Sequence, residues 1–188
     1  MNDTMIASAQ ASYSSPLLKV LVTKGALTDD QVNQILLESM NSSRKIEDIL
    51  EEKKWVSEEV FTQAKAEANN VPFLKVGDIG ISPEALTLLP EGVARRYKMF
   101  PFAVNKEDNM LSVAMIDPLD LAAIDFAQQK TGFRITAYYA VPSEIERVIA
   151  EKYAQSLSSE VTEALEETNQ AKDEKKAAQD LASLSGQV

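Results

Sequence analysis

Asp117, Asp120 and Asp125 stand within nine residues of one another, in the stretch MIDPLDLAAID. Three carboxylates so close can chelate a hard cation such as Mg or Ca, or share a proton as an acid/base pair. The D-x-x-D spacing offers no fourth ligand and no calcium-loop pattern. The same residue types also start helices. On that reading Asp117 ends a strand and Pro118 occupies the first helical turn, where its missing N–H costs nothing. Asp120, at the third helical position, reaches back to the cap and favours the positive end of the helix dipole. Asp117, Pro118 and Asp120 are therefore expected to form a structural cap, with Asp125 on the solvent side. Leu119, Ala123, Phe126, Leu121 and Ile124 are expected to supply the helix's apolar faces.

The one arginine pair, Arg95-Arg96, lies in EGVARRYKMFP with Lys98 close behind. Such a cluster could hold a phosphate or an acidic partner, but a solvated helix face is the favoured reading. Trp55, the single tryptophan, is expected to pack in a core. No GxxxxGK[ST] or GxGxxG stretch occurs, and six glycines are spread thinly along the chain, so no phosphate cradle of those kinds is encoded. No serine or lysine stands beside an evident base. The chain is expected to have no catalytic activity of its own.

Composition narrows the classes further. The sequence contains no cysteine and no histidine, which removes disulfides, thiolate nucleophiles, Cys/His zinc sites and histidine base catalysis. Metal ligands would be oxygens only. With 29 acidic and 19 basic residues the formal net charge is −10, the wrong sign for a general nucleic-acid binder. No apolar run approaches the roughly 20 residues of a membrane span, so no direct membrane insertion is expected. The first residues carry no secretory-signal pattern.

The elements that must position these residues follow from pattern. Residues 16–70 read as helical. Leu17, Leu18, Leu21 and Val22 recur at helix spacing up to Gly25, and Thr28 with Gln31 makes a capping box for the next helix. The pattern then repeats at an offset of 29 residues: ALTDDQV corresponds to WVSEEVF, Leu21 to Leu50, Thr28 to Ser57 and Gly25 to Lys54. Residues 71–154 read as α+β. VPFLKV is a short extended run. Ser82-Pro83-Glu84 opens one short helix and Pro90 precedes another. MFPFAVN and MLSVAMI form a hairpin around KEDN, followed by a helix, a third strand in FRITAYYAV and a last helix opened by Pro142-Ser143-Glu144. The expected fold class is thus α+β: a small helical subdomain, then an α/β sandwich built on a small sheet. Residues 1–15 are expected to be a disordered leader. From Ser156 onward there are seven acids and three bases with few large apolar residues, so 155–188 is expected to be an acidic linker, disordered or helical.

Over residues 16–153 the chain resembles the N-terminal region of the type II secretion and type IV pilus assembly (extension) traffic ATPases. The resemblance is carried by Leu89-Pro90, Ala94-Arg95-Arg96, Pro101, Ala114, Asp117-Pro118, Asp120 and Thr131-Gly132, with GALTDDQV and VPF upstream. It implies a regulatory, adaptor-like region that docks the motor onto the cytoplasmic side of an inner-membrane platform protein. The ATPase core would follow in cis beyond the linker, and ATP and Mg would belong there. The expected place is the cytoplasm, peripheral to the inner membrane, and the chain would be an excised N-terminal piece or a truncated relative.

Some members of that family bind cyclic di-GMP through a motif resembling R-L-G-x-x-L-x-x-x-G-x-L with a later glutamine. Here Pro16, Leu17 and Leu18 stand at the first R-L-G, and Ser39 at its glutamine. Lys45, Ile46 and Glu47 stand at the second R-L-G, with Lys54 for the glycine and Ala68 for the glutamine. Leu21, Gly25 and Leu27 remain. Proline cannot replace an arginine fork, and Glu47 repels phosphate. The alternative function, a cyclic di-GMP sensor regulating such an ATPase, is disfavoured on those residues.

Overall fold

The computed structural model describes residues 15–154. Helix α1 (Pro16–Thr23) starts with Pro16 in the first turn, and the Ser15 hydroxyl accepts from Leu18 N. It ends at Gly25, whose φ of 67° is left-handed, with Ala26 N donating to Leu21 O at 2.9 Å. Helix α2 (Asp29–Ser42) opens on the reciprocal capping box: Gln31 N donates to Thr28 Oγ1 at 3.3 Å, and Thr28 N to Gln31 Oε1 at 2.9 Å. Two orphan amides are satisfied at once.

The second copy follows the same course with poorer chemistry. Helix α3 (Ile46–Lys53) begins at Lys45, which makes no side-chain cap bond. It stops at Lys54, forced to a φ of 50° where the first copy has glycine. Helix α4 (Glu58–Ala68) is capped by Ser57, which accepts from Val60 N. Leu17, Leu18, Leu21, Leu27, Val32, Ile35, Ile49, Leu50, Phe61 and Ala64, from the four helices and the turn between the first two, bury one another in a single core. Neither repeat has enough apolar surface to do this alone. Trp55 packs partly buried against that core, with Lys53 Nζ 5.1 Å above its ring.

Helices α5 (Pro83–Leu88) and α6 (Glu91–Tyr97) precede strands β1 (Met99–Asn105) and β2 (Met110–Met115). Helix α7 (Leu121–Thr131) then leads to β3 (Arg134–Tyr139), and residues 142–154 are helical (α8). The sheet order is β1-β2-β3, antiparallel between β1 and β2, parallel between β2 and β3. This mixed sheet with its helices is α+β. The parallel pair exists because α7 carries the chain back to the starting end of β2. Pro101 lies in β1, an edge strand, where its missing N–H is tolerated. The register shifts at Phe102, whose carbonyl accepts from Ser82 N at 2.8 Å. Ser82 itself makes no side-chain cap bond. The VPFLKV run contributes one bridge, Phe73 beside Tyr139, flanked by Tyr139 N to Pro72 O and Leu74 N to Tyr139 O.

Two details at α7 differ from the sequence reading. The helix starts at Leu121 rather than at Pro118, so Pro118 and Leu119 belong to the turn before it. Its buried residues are Ala123 and Ala127, whereas Leu119, Leu121 and Phe126 are exposed at 52%, 70% and 38%. The smallest residues face the sheet because that side admits the closest approach. Periodicity alone cannot tell which of two apolar stripes is turned inward. The leader at 1–14 and the acidic linker at 155–188 lie outside the described residues.

Candidate functional site

The carboxylates that opened the sequence reading are each occupied by backbone or side-chain donors. Asp120 is the N-cap of α7, and its Oδ1 accepts from Ala123 N at 3.0 Å. Asp117 Oδ1 accepts from Leu119 N at 3.1 Å, and Asp120 N donates to Asp117 O at 3.2 Å. Asp117 and Pro118 therefore shape the turn, and Asp120 closes the helix end. Asp125 is exposed and accepts from Gln128 at 3.4 Å. Among the described residues no group of three or more acidic side chains is arranged to hold a metal ion.

Arg95, Arg96 and Lys98 do not converge on a common point. Arg95 Nε reaches Glu91 Oε1 at 2.8 Å one helical turn back. Lys98, left-handed at the end of α6, reaches Glu146 at 2.6 Å. That bond, and the lysine's charge, hold the Glu146 carboxyl below its usual range. Arg96 instead lies over the Tyr97 ring at 5.4 Å. Two of the three cations are thus committed to carboxylates, and one rests on an aromatic face.

Sequence reasoning missed a cleft of about 560 Å³ between the helical segment and the sheet. Pro16, Lys45, Glu47 and Ala68, which stand where the resemblance puts ligand contacts, all border it. So do Asp48, Glu51 and Asp117, so that four carboxylates face two lysines, Lys45 and Lys65. Tyr139 closes one side. Its hydroxyl accepts from Asn69 Nδ2 at 3.2 Å. Burial, reinforced by the charge of Asp117, pushes that hydroxyl's pKa up, against the lowering effect of the Asn69 bond. No sequence signal joins Glu47 to Asp117 or Tyr139, because the strands between them must pair before they meet.

The described residues thus form a helical segment packed on a mixed three-stranded sheet, with a polar cleft beside them. Residues 69–159 match the family model of the MshEN domain. The type IV pilus assembly ATPase PilB of Thermus thermophilus is 25% identical over 133 residues, covering 71% of this chain and 15% of that protein. PilB of Myxococcus xanthus is 26% identical over 142 residues, covering 76% and 25%. The solved structure of MshE with cdg superposes with a TM-score of 0.58 at 24% identity, covering 71% of this chain and 96% of that one. The N-terminal domain of XpsE superposes with a TM-score of 0.53 at 22% identity, covering 73% and 93%. The chain is thus similar to MshEN-domain proteins and to type IV pilus assembly ATPases, and it shares its fold with the N-terminal domain of XpsE. It spans only 15% and 25% of the two PilB proteins. Among the described residues no helix is long and apolar enough to cross a membrane.

Proposed function

We propose that this chain is the adaptor domain of a type IV pilus assembly or type II secretion ATPase, docking the motor onto the inner-membrane platform protein from the cytoplasm. The observation that carries this reading is the MshEN match over 69–159, joined to a fold shared with the XpsE N-terminal domain. The domain contributes no chemical step. ATP and Mg would be handled by an ATPase core in the same polypeptide. The test is retention of the platform protein of the cognate system on the immobilised chain. Retention at micromolar concentration is expected, and its absence with both proteins folded rejects the docking role.

We infer that the cleft's residues disfavour cyclic di-GMP. Each of the ligand's two phosphates is anionic, and the cleft is lined by Glu47, Asp48, Glu51 and Asp117 against two lysines, Lys45 and Lys65. Pro16 offers no donor where a planar arginine fork would stack and pair. We infer that the chain keeps the scaffold of such a site without its ligand chemistry. Calorimetry with cyclic di-GMP is expected to show no heat of binding, and a micromolar isotherm would reverse the inference.

A further inference from the structure

On α7 the exposed face runs through Ala122, Asp125, Phe126, Gln129 and Lys130, while Ala123 and Ala127 are buried. Phe126 and Lys130 are one turn apart and share a side. Tyr97 of α6 meets Phe126 with ring centroids 5.0 Å apart, and Arg96 lies over the Tyr97 ring. The four side chains therefore form a continuous strip, cation–aromatic–aromatic–cation, across two helices. Neither Arg96 nor Lys130 has an ion pair among the described residues. Of the carboxylates on the two helices and beside them, Glu91 is paired with Arg95 and Glu146 with Lys98, while Asp125 accepts only from the neutral Gln128 amide and keeps its charge, one carboxylate against the two unpaired cations. The strip is positive on a chain whose formal net charge is −10.

We propose that this strip, Arg96–Tyr97–Phe126–Lys130, is a docking surface for an acidic peptide segment that carries an aromatic or leucine anchor. Charge complementarity selects the partner. A guanidinium resting on a ring keeps its N–H edge in plane for a carboxylate, and arginine, tyrosine and phenylalanine are the types enriched in interface cores. The anchor is required because the chain as a whole repels anions. The local cations prevail only within a Debye length of about 8–10 Å at physiological salt, so contact must be held by apolar burial on Phe126 and Tyr97. The same repulsion disfavours nucleic acid and anionic membranes. The proposal rests on the adaptor reading for its biological setting, but the surface is testable without it.

The test is amide chemical-shift mapping on the isotope-labelled 188-residue chain with three synthetic twelve-residue probe peptides. One has glutamates around a central Leu-Phe, one has lysines in their place, and one has glutamates around serines. The first is expected to shift Arg96, Tyr97, Ala122, Phe126 and Lys130, and the other two are not. Arg96→Glu with Lys130→Glu is expected to weaken that peptide at least tenfold and to create binding of the lysine version, and Phe126→Ser is expected to abolish both. The proposal is overturned if the first peptide leaves these amides unmoved or the charge reversal leaves its titration unchanged. Equal shifts with the glutamate–serine peptide or with anionic phosphatidylserine vesicles also overturn it, as do shifts of the same amides with protein concentration alone, which would mark a second copy as the occupant. Retention of the platform protein by the doubly reversed variant would leave docking intact and take it off this surface. Peptide binding without any platform retention would keep the surface and remove the docking role.

Discussion

At the scale of single residues, Asp117 and Asp120 show how one residue type serves two neighbouring purposes. Asp120 replaces a missing helical acceptor for Ala123 N, and Asp117 organises the turn through Leu119 N. Asp120→Ala should cost about 1 kcal/mol, read as a lowered thermal midpoint. Asp117→Asn, which keeps an acceptor oxygen, should be close to neutral. Added Mg or Ca should leave the midpoint of the wild-type chain unchanged. Tyr139 makes a separate prediction. Its folded pKa is raised above the unfolded value of about 10, chiefly by burial. The neutral phenol therefore contributes stability that is complete below about pH 10 and is lost as pH rises through the folded pKa. Urea midpoints should fall on the alkaline side, and Tyr139→Phe should flatten that fall.

The two helical repeats are a natural experiment at the scale of elements. Gly25 and Lys54 end equivalent helices in the same left-handed conformation, with φ of 67° and 50°. Glycine adopts it freely, while a side chain costs roughly 1 kcal/mol there. A Cβ built at Gly25 meets nothing within 4 Å, so the comparison isolates backbone strain from packing. Lys54→Gly should stabilise the chain by up to about 1 kcal/mol, and Gly25→Lys should destabilise it by about the same amount. Chemical denaturation of the two variants checks both. The caps were legible in the same way: Thr28 with Gln31, and Ser57, are local signals satisfied within one turn. The inward face of α7 was not legible. Leu119, Leu121 and Phe126 carry more hydrophobicity than Ala123 and Ala127, yet the sheet accepts only the small side.

Over the whole described molecule, long-range polar contacts tie α4 to the segments around the sheet. Glu58 accepts from Ser143 N at 3.2 Å and from Ser143 Oγ at 2.6 Å. Asn69, at the end of α4, bonds the Tyr139 hydroxyl at 3.2 Å. These links predict one cooperative unfolding transition: Trp55 fluorescence, a probe of the helical core, and near-ultraviolet tyrosine dichroism should share a midpoint. Glu58→Ala should lower both together by about 1 kcal/mol of stability, since the bonds are charge-assisted but exposed. Separate midpoints would mean that the helical and α+β parts melt independently.

What the sequence determined by itself was everything encoded over a few residues. The helices and strands, the caps at Thr28 and Ser57, the hairpin, the internal repeat, the α+β class and the family resemblance all follow from periodicity, turn chemistry and ordered motifs. What only the tertiary structure decided was which distant residues meet. It paired β3 parallel to β2, turned Phe126 outward beside Tyr97 and Arg96, and gathered Glu47, Asp48, Glu51 and Asp117 around one cleft. The physical reason is range. Capping and turn preferences act within a helical turn. The choice of buried face and the lining of a cleft depend on which surfaces, far apart in the chain, exclude water most closely together.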